Sequence, residues 1–194
     1  MINILYEPLP VHIEADGVTY PIITDFREWL RFSDMVGDDA VPKRQKLRLM
    51  LNWLYEEPKC ITGELVTAIF DFYKLKALKS EPAEYSDDDI TEDSLPKPPV
   101  LNWSIDAPYI IGDFQRYYGI DLFNTEMHWW KFHILLSALP EESQMMKRIG
   151  YRSVDLGQIK NESERKRIMK MKQLYALPFE LDDEDIGAIF GGTM

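Results

Sequence analysis

Along the first part of the chain the apolar positions alternate and then fall into helical spacing. Val11-His12-Ile13-Glu14 and Val18-Thr19-Tyr20 alternate on either side of the turn dipeptide Asp16-Gly17, which predicts a small β-hairpin between Leu9 and Ile22. Thr24-Asp25 then offers an N-cap with Glu28 as its capping-box partner. Phe26, Trp29, Leu30 and Ser33 recur on one stripe of a helix that should end near Gly37. A second helix is expected to open at Pro42, to carry Leu47, Met50, Leu51 and Leu54 on one stripe with its lysines and arginines largely elsewhere, and to be stopped by Pro58. Thr62 is placed to cap a third, with Ile61 and Val66 as a hydrophobic staple. Leu65, Ile69, Phe70 and Tyr73 would form its apolar face, fading near Lys79.

From Ser80 to Pro99 the periodicity is lost. The run SEPAEYSDDDITEDSLPKPP, dense in proline, serine and acid, reads as a flexible linker, either disordered or ordered by a partner. Helical spacing returns after Asp106, where Ala107-Pro108 should start a helix bearing Ile110, Ile111, Phe114, Tyr117 and Tyr118, stopped by Gly119. Between Met127 and Leu139 apolar side chains surround the whole helix, which marks this segment as the central buried one. Pro140-Glu141-Glu142 should open a shorter helix closed by Gly150, and a last helix is expected over 154–177 with a break near Gly157. Beyond it, Glu180, Asp182, Asp183, Glu184 and Asp185 stand beside Ile186, Ile189 and Phe190. This reads either as a frayed terminus or as a peptide that docks on a partner.

The expectation is an all-α, multi-helix bundle of six or seven helices with a small N-terminal β-hairpin and a disordered acidic linker. Residues 1–79 would form the hairpin and a first helical subdomain, and 80–99 a flexible, acidic, proline-rich linker. Residues 100–177 would form a second helical subdomain sharing one core with the first, and 178–194 an acidic tail.

Composition narrows the function. At 194 residues, with 45% apolar and 28% charged side chains, the chain has enough core to fold. Twenty-two basic against 33 acidic residues leave a net charge of −11, which opposes nonspecific binding to nucleic acid or to an anionic membrane surface. No run approaches the roughly 20 apolar residues of a membrane span. The start, Met1 to Pro8, has neither the basic nor the long apolar region of a secretion signal. Cys60 is the sole cysteine, which excludes an intramolecular disulfide or a Cys-based zinc cage and fits a reducing compartment.

Little points to catalysis. His128 and His133 are five residues apart, about 140° around a helix, so they do not form an i, i+4 metal pair. The expected role of each is a ring packed among aromatics with one nitrogen hydrogen-bonded. No glycine-rich phosphate loop or nucleophile elbow occurs, and many of the acids cluster in the linker and tail, where no rigid backbone would hold a catalytic pair. No catalytic residue, metal or cofactor is expected. Lys160, Arg165, Lys166, Arg167, Lys170 and Lys172 crowd the last helix. They could touch nucleic acid; the plainer reading is a solvated face that meets the acidic linker or tail of the same or a neighbouring chain. Trp103, after the linker and outside any firm helix, is a candidate interface residue. The candidate partner-binding residues are therefore Trp103, Lys166, Arg167 and Lys170.

Tyr20-Pro21-Ile22 with Thr24-Asp25-Phe26-Arg27-Glu28-Trp29, then Tyr118-Gly119-Ile120-Asp121-Leu122 with His128-Trp129-Trp130-Lys131-Phe132, and later Tyr151-Arg152, resemble a family of bacteriophage tail-region proteins. The resemblance spans most of the chain, and the His-Trp-Trp-Lys-Phe run is its most specific element. It implies a protein encoded in siphophages and prophages of Gram-positive bacteria just ahead of the tape-measure gene, where tail-assembly chaperones are found. The implied partners are the phage tape-measure protein and the tail-tube protein in the host bacterial cytoplasm, work that calls for self-association as a homo-oligomer or for multivalency; charge and hydropathy add the expectation of no nucleic acid and no membrane. The alternatives are a structural minor tail or connector component of the virion and, further off, a small enzyme or host-directed effector with a polar pocket at His128 or His133.

Overall fold

The computed structural model describes residues 3–78 and 100–178, and the linker and acidic tail expected at 80–99 and 178–194 fall, apart from Pro178, outside the described residues. The described part is mostly helical, with one antiparallel hairpin and seven α-helices. It divides into two compact units, each built from two stretches of chain. The first gathers residues 3–78 and 123–138, the second 100–122 and 139–178. The segment expected to be the central helix therefore packs with residues of the N-terminal half, whereas the sequence pattern grouped it with 100–177.

In the first unit, β1 (His12–Ala15) pairs with β2 (Val18–Pro21) in the register Ala15↔Val18. Asp16 and Gly17 between them both have positive φ, at 53° and 72°, the two left-handed positions of a two-residue hairpin turn. The Asp16 carboxylate accepts from the hydroxyl of Thr62, and that oxygen in turn accepts from Leu65 N–H as the N-cap of α3 (Gly63–Tyr73). Asp25 caps α1 (Phe26–Gly37) in the same way, accepting from Arg27 N–H at 2.9 Å.

The second helix is shorter than its apolar stripe implied. Here α2 covers only Lys43–Leu49 and tightens into a 3-10 turn at Met50–Trp53, after which Leu54 turns extended and bridges to Ile22. Burying Trp53 and Leu54 against the hairpin side requires this break. Likewise α3 stops at Tyr73 rather than near Lys79, because Leu75 takes a left-handed φ of 56° and a 3-10 turn follows at Lys76–Leu78.

In the second unit, α4 (Trp103–Tyr118) begins four residues earlier than expected. Asn102 is its cap, accepting from Ser104 and Ile105 N–H, so Pro108 lies inside the helix and not in its first turn. The proline leaves the Ser104 carbonyl without its helical donor, at an exposed position where solvent satisfies it. Trp103, expected outside any firm helix, is thus the first residue of α4. Gly119 ends the helix with φ 66°, as anticipated. Ser143 caps α6 (Gln144–Ser153), which runs through Gly150 instead of closing there. A 3-10 turn at Leu156–Gln158 supplies the break near Gly157, and α7 (Glu162–Tyr175) follows.

Candidate functional surface

The His128-Trp129-Trp130 run is explained by helix ends. In the first unit, Trp129 N–H donates to Thr24 and Phe26 N–H to Met127, which sets the starts of α1 and α5 (Trp129–Ser137) side by side. His128 is the N-cap of α5: its Nδ1 accepts from Trp130 N–H at 3.0 Å. Its other ring nitrogen, Nε2, lies 2.9 Å from the Pro10 carbonyl and so carries the proton and donates. Both nitrogens are used, where one was expected. Burial pushes the imidazole pKa below its ordinary value, with the Pro10 hydrogen bond opposing that shift.

The two indoles behind it close the other end of α3. Trp129 Nε1–H donates to the Tyr73 carbonyl and Trp130 Nε1–H to the Phe72 carbonyl, each at 2.9 Å, in the last turn of the helix, where the Phe72 carbonyl also accepts from Leu75 N–H. Trp29 Nε1–H donates to the Ile23 carbonyl ahead of α1 and Trp53 Nε1–H to the Glu28 carbonyl in its first turn, at 2.7 and 2.8 Å. Around them Trp29, Phe32, Phe72, Tyr73 and Phe132 stack or tilt at centroid distances of 5 to 6 Å. The ring of α5 is not buried all round, since residues 133–135 are only half-buried and Lys131 is exposed. His133 sits edge-on to Trp129 at 4.2 Å. Among the described residues, no group of three or more His, Cys, Asp or Glu side chains could hold a metal ion.

The second unit is organised by charge. Asp106 and Asp113 lie two turns apart on the buried stripe of α4. Asp106, wholly buried, accepts two hydrogen bonds from the Arg152 guanidinium at 2.6 and 2.9 Å. Asp113 accepts from the Gln144 and Met145 N–H groups at the start of α6, where the helix dipole favours an anion. The two contacts grip α6 at both ends and fix it antiparallel to α4. Arg148, also buried, lies 3.3 Å over the Tyr109 ring and 4.9 Å from the Tyr175 ring.

Of the sequence-predicted site residues, Lys166, Arg167 and Lys170 come together. All three are exposed on α7, the one long helix of the unit in which no residue is buried. At 100° per residue, Lys166 and Lys170 share the outer stripe, with Arg167 and Leu174 on one flank and Met169 on the other. Leu174 is 70% exposed and Met169 42%, so the face mixes cations with apolar contact area. Its inner side is anchored: Asn161 caps its start, Tyr175 stacks on Tyr151, Lys172 Nζ donates to the Val154 carbonyl, and Arg152 Nε donates to the Tyr175 carbonyl. Trp103 is half-buried on α4, a different element; Arg152, which also donates to the Val100 carbonyl, joins the entry of α4 to the end of α7.

One feature of this surface escaped the sequence reading: the apolar members Met169 and Leu174 passed as part of a solvated basic helix. The charge segregation read there is pronounced: twelve of the 33 acidic residues, but only Lys79 and Lys97 of the 22 basic ones, lie in 79–99 and 179–194. The described part is therefore nearly neutral, and α7 is a cationic face within it. The first unit has an open groove of about 710 Å³ beside α2, where Arg48 and Lys59 are joined by Glu57, Tyr55, exposed Cys60 and Ile61.

Among the described residues no buried side-chain nitrogen or oxygen lacks a hydrogen-bond partner. The chain belongs to the family described as Bacteriophage Gp15 protein, which matches it over residues 5–177. No curated protein and no solved structure matches it. No helix among the described residues is long and apolar enough to cross a membrane.

Proposed function

We propose that this phage protein is a non-enzymatic tail-assembly factor that chaperones the tape-measure protein during tail morphogenesis. In that reading it belongs to siphophages and prophages of Gram-positive bacteria, acts in the host cytoplasm, and hands its client to the tail-tube protein. It has no use for nucleic acid, membrane or cofactor. The observation that carries the reading is α7, a helix of 14 residues with none buried, whose outer face offers Lys166, Arg167 and Lys170 together with Met169 and Leu174. Such a face suits an amphipathic client helix, and self-association would multiply individually weak contacts along a long client.

Co-expression with the tape-measure protein encoded beside it tests the proposal. The expected result is a soluble client that co-elutes with this chain; an insoluble client and no complex would remove the proposal. Mass spectrometry of purified virions separates it from a structural tail or connector role, since a chaperone should be missing from the particle and a component present in stoichiometric amount.

A further inference from the structure

We infer that residues 180–190 of the same chain are the resident occupant of the outer face of α7, to be displaced by an incoming partner. The segment lies outside the described residues, and its sequence is the complement of that face. Glu180, Asp182, Asp183, Glu184 and Asp185 match the cations Lys166, Arg167 and Lys170, of which only Lys166 has an ion-pair partner among the described residues, Glu162. Ile186, Ile189 and Phe190 match Met169 and Leu174, which nothing in the second unit buries.

Connectivity makes the encounter unavoidable. The helix ends at Tyr175, Leu177 is buried, and the acidic run begins three residues after Leu177. Eleven residues reach up to about 36 Å when extended, whereas the 14 residues of α7 rise only about 21 Å. A segment tethered that closely samples the face at high effective concentration, so even weak complementarity keeps it occupied. The charge segregation gives the attraction its sign, and salt should weaken it. Competition between this segment and the tape-measure protein rests on the function proposed above; the docking itself does not.

Two measurements on the full chain alone test the docking. Zero-length carbodiimide cross-linking should join Lys166 or Lys170 to carboxylates of 180–185 within the monomer band, and about 1 M salt should suppress it. The inference is overturned if no such conjugate forms, if conjugates occur only in a dimer band, or if the same carboxylates join Lys43 or Lys59 instead. Because tethering alone can yield a conjugate, amide exchange decides the rest. A full-length variant with the five acids changed to Asn or Gln should exchange severalfold faster across 162–175 than the parent. Equal exchange rates would overturn the inference even where conjugates form. Neither measurement includes the tape-measure protein, so failure here leaves the co-expression test untouched.

Discussion

Beyond the usual N-caps of both, the first unit adds indoles and an imidazole at its helix ends, while the second adds buried carboxylates and a guanidinium. In the first, Trp129 and Trp130 donate to the last two carbonyls of α3 and His128 accepts from a first-turn N–H of α5, and the same rings fill the core. In the second, Asp113 and the Asp106–Arg152 pair grip the two ends of α6 with no comparable apolar area behind them. The difference teaches that a neutral donor on a large ring serves packing and hydrogen bonding at once, whereas an ionic clamp gives position more than net stability.

The largest effect should come from breaking the clamp on one side. Asp106→Ala strands a buried guanidinium and should cost about 3–5 kcal/mol. Hydrogen exchange resolved by peptide should place the loss in the second unit. Replacing both partners together, Asp106→Leu with Arg152→Met, removes the stranded charge but also the Arg152 bonds to the Val100 and Tyr175 carbonyls, so it should recover part of that loss; a double variant no better than the single one would contradict the comparison. Trp130→Ala should cost about 3–5 kcal/mol through the cavity left by the indole. In that variant the first unit should exchange faster; unchanged protection there would mean the indole is not part of the core.

His128 gives a smaller, pH-dependent signature confined to the first unit. The folded state holds the ring neutral, with Nδ1 accepting, so its pKa lies below the unfolded value of about 6.5. Below that pH the unfolded chain binds a proton that the folded chain refuses, so stability is full above about 6.5 and falls as pH drops toward the folded value. His128→Asn keeps a capping side chain and should flatten this fall, read from melting across about pH 5 to 8. An unaltered slope would show that the His128 ring does not govern it. His128→Ala should cost about 1 kcal/mol at neutral pH. Smallest of all, Lys46→Met removes a contact from Nζ to the Val36 carbonyl at the end of α1 and should cost no more than about 1 kcal/mol.

The same contrast decides what could be read in the sequence. The aromatic unit was legible, because its caps (Asp25, Thr62), its Asp16-Gly17 turn and its tryptophans announce themselves through local spacing. Even there the use of both His128 nitrogens was hidden, since Pro10 is 118 residues away in the chain. The ionic unit was largely illegible. Asp106, Asp113, Arg148 and Arg152 occupy buried positions of helical stripes, but a charged residue in a stripe reads as solvated until its partner on another helix is known. Pro108 misled for a related reason: a proline favours the first helical turn, and only Asn102 with its capping bonds reveals that the helix had already begun. The three candidate cations on α7 were found from charge density alone; Met169 and Leu174 needed the structure to show that they are left uncovered.

The central claim is that this phage protein acts through the outer face of α7, and one comparison tests it most directly. The tape-measure protein is co-expressed with the parent chain and, in parallel, with a Lys166→Glu, Arg167→Glu, Lys170→Glu variant whose exposed substitutions leave both interiors intact. The account predicts a soluble, co-purifying client with the parent and its loss to the pellet with the variant. Equal recovery of soluble client with both would contradict it.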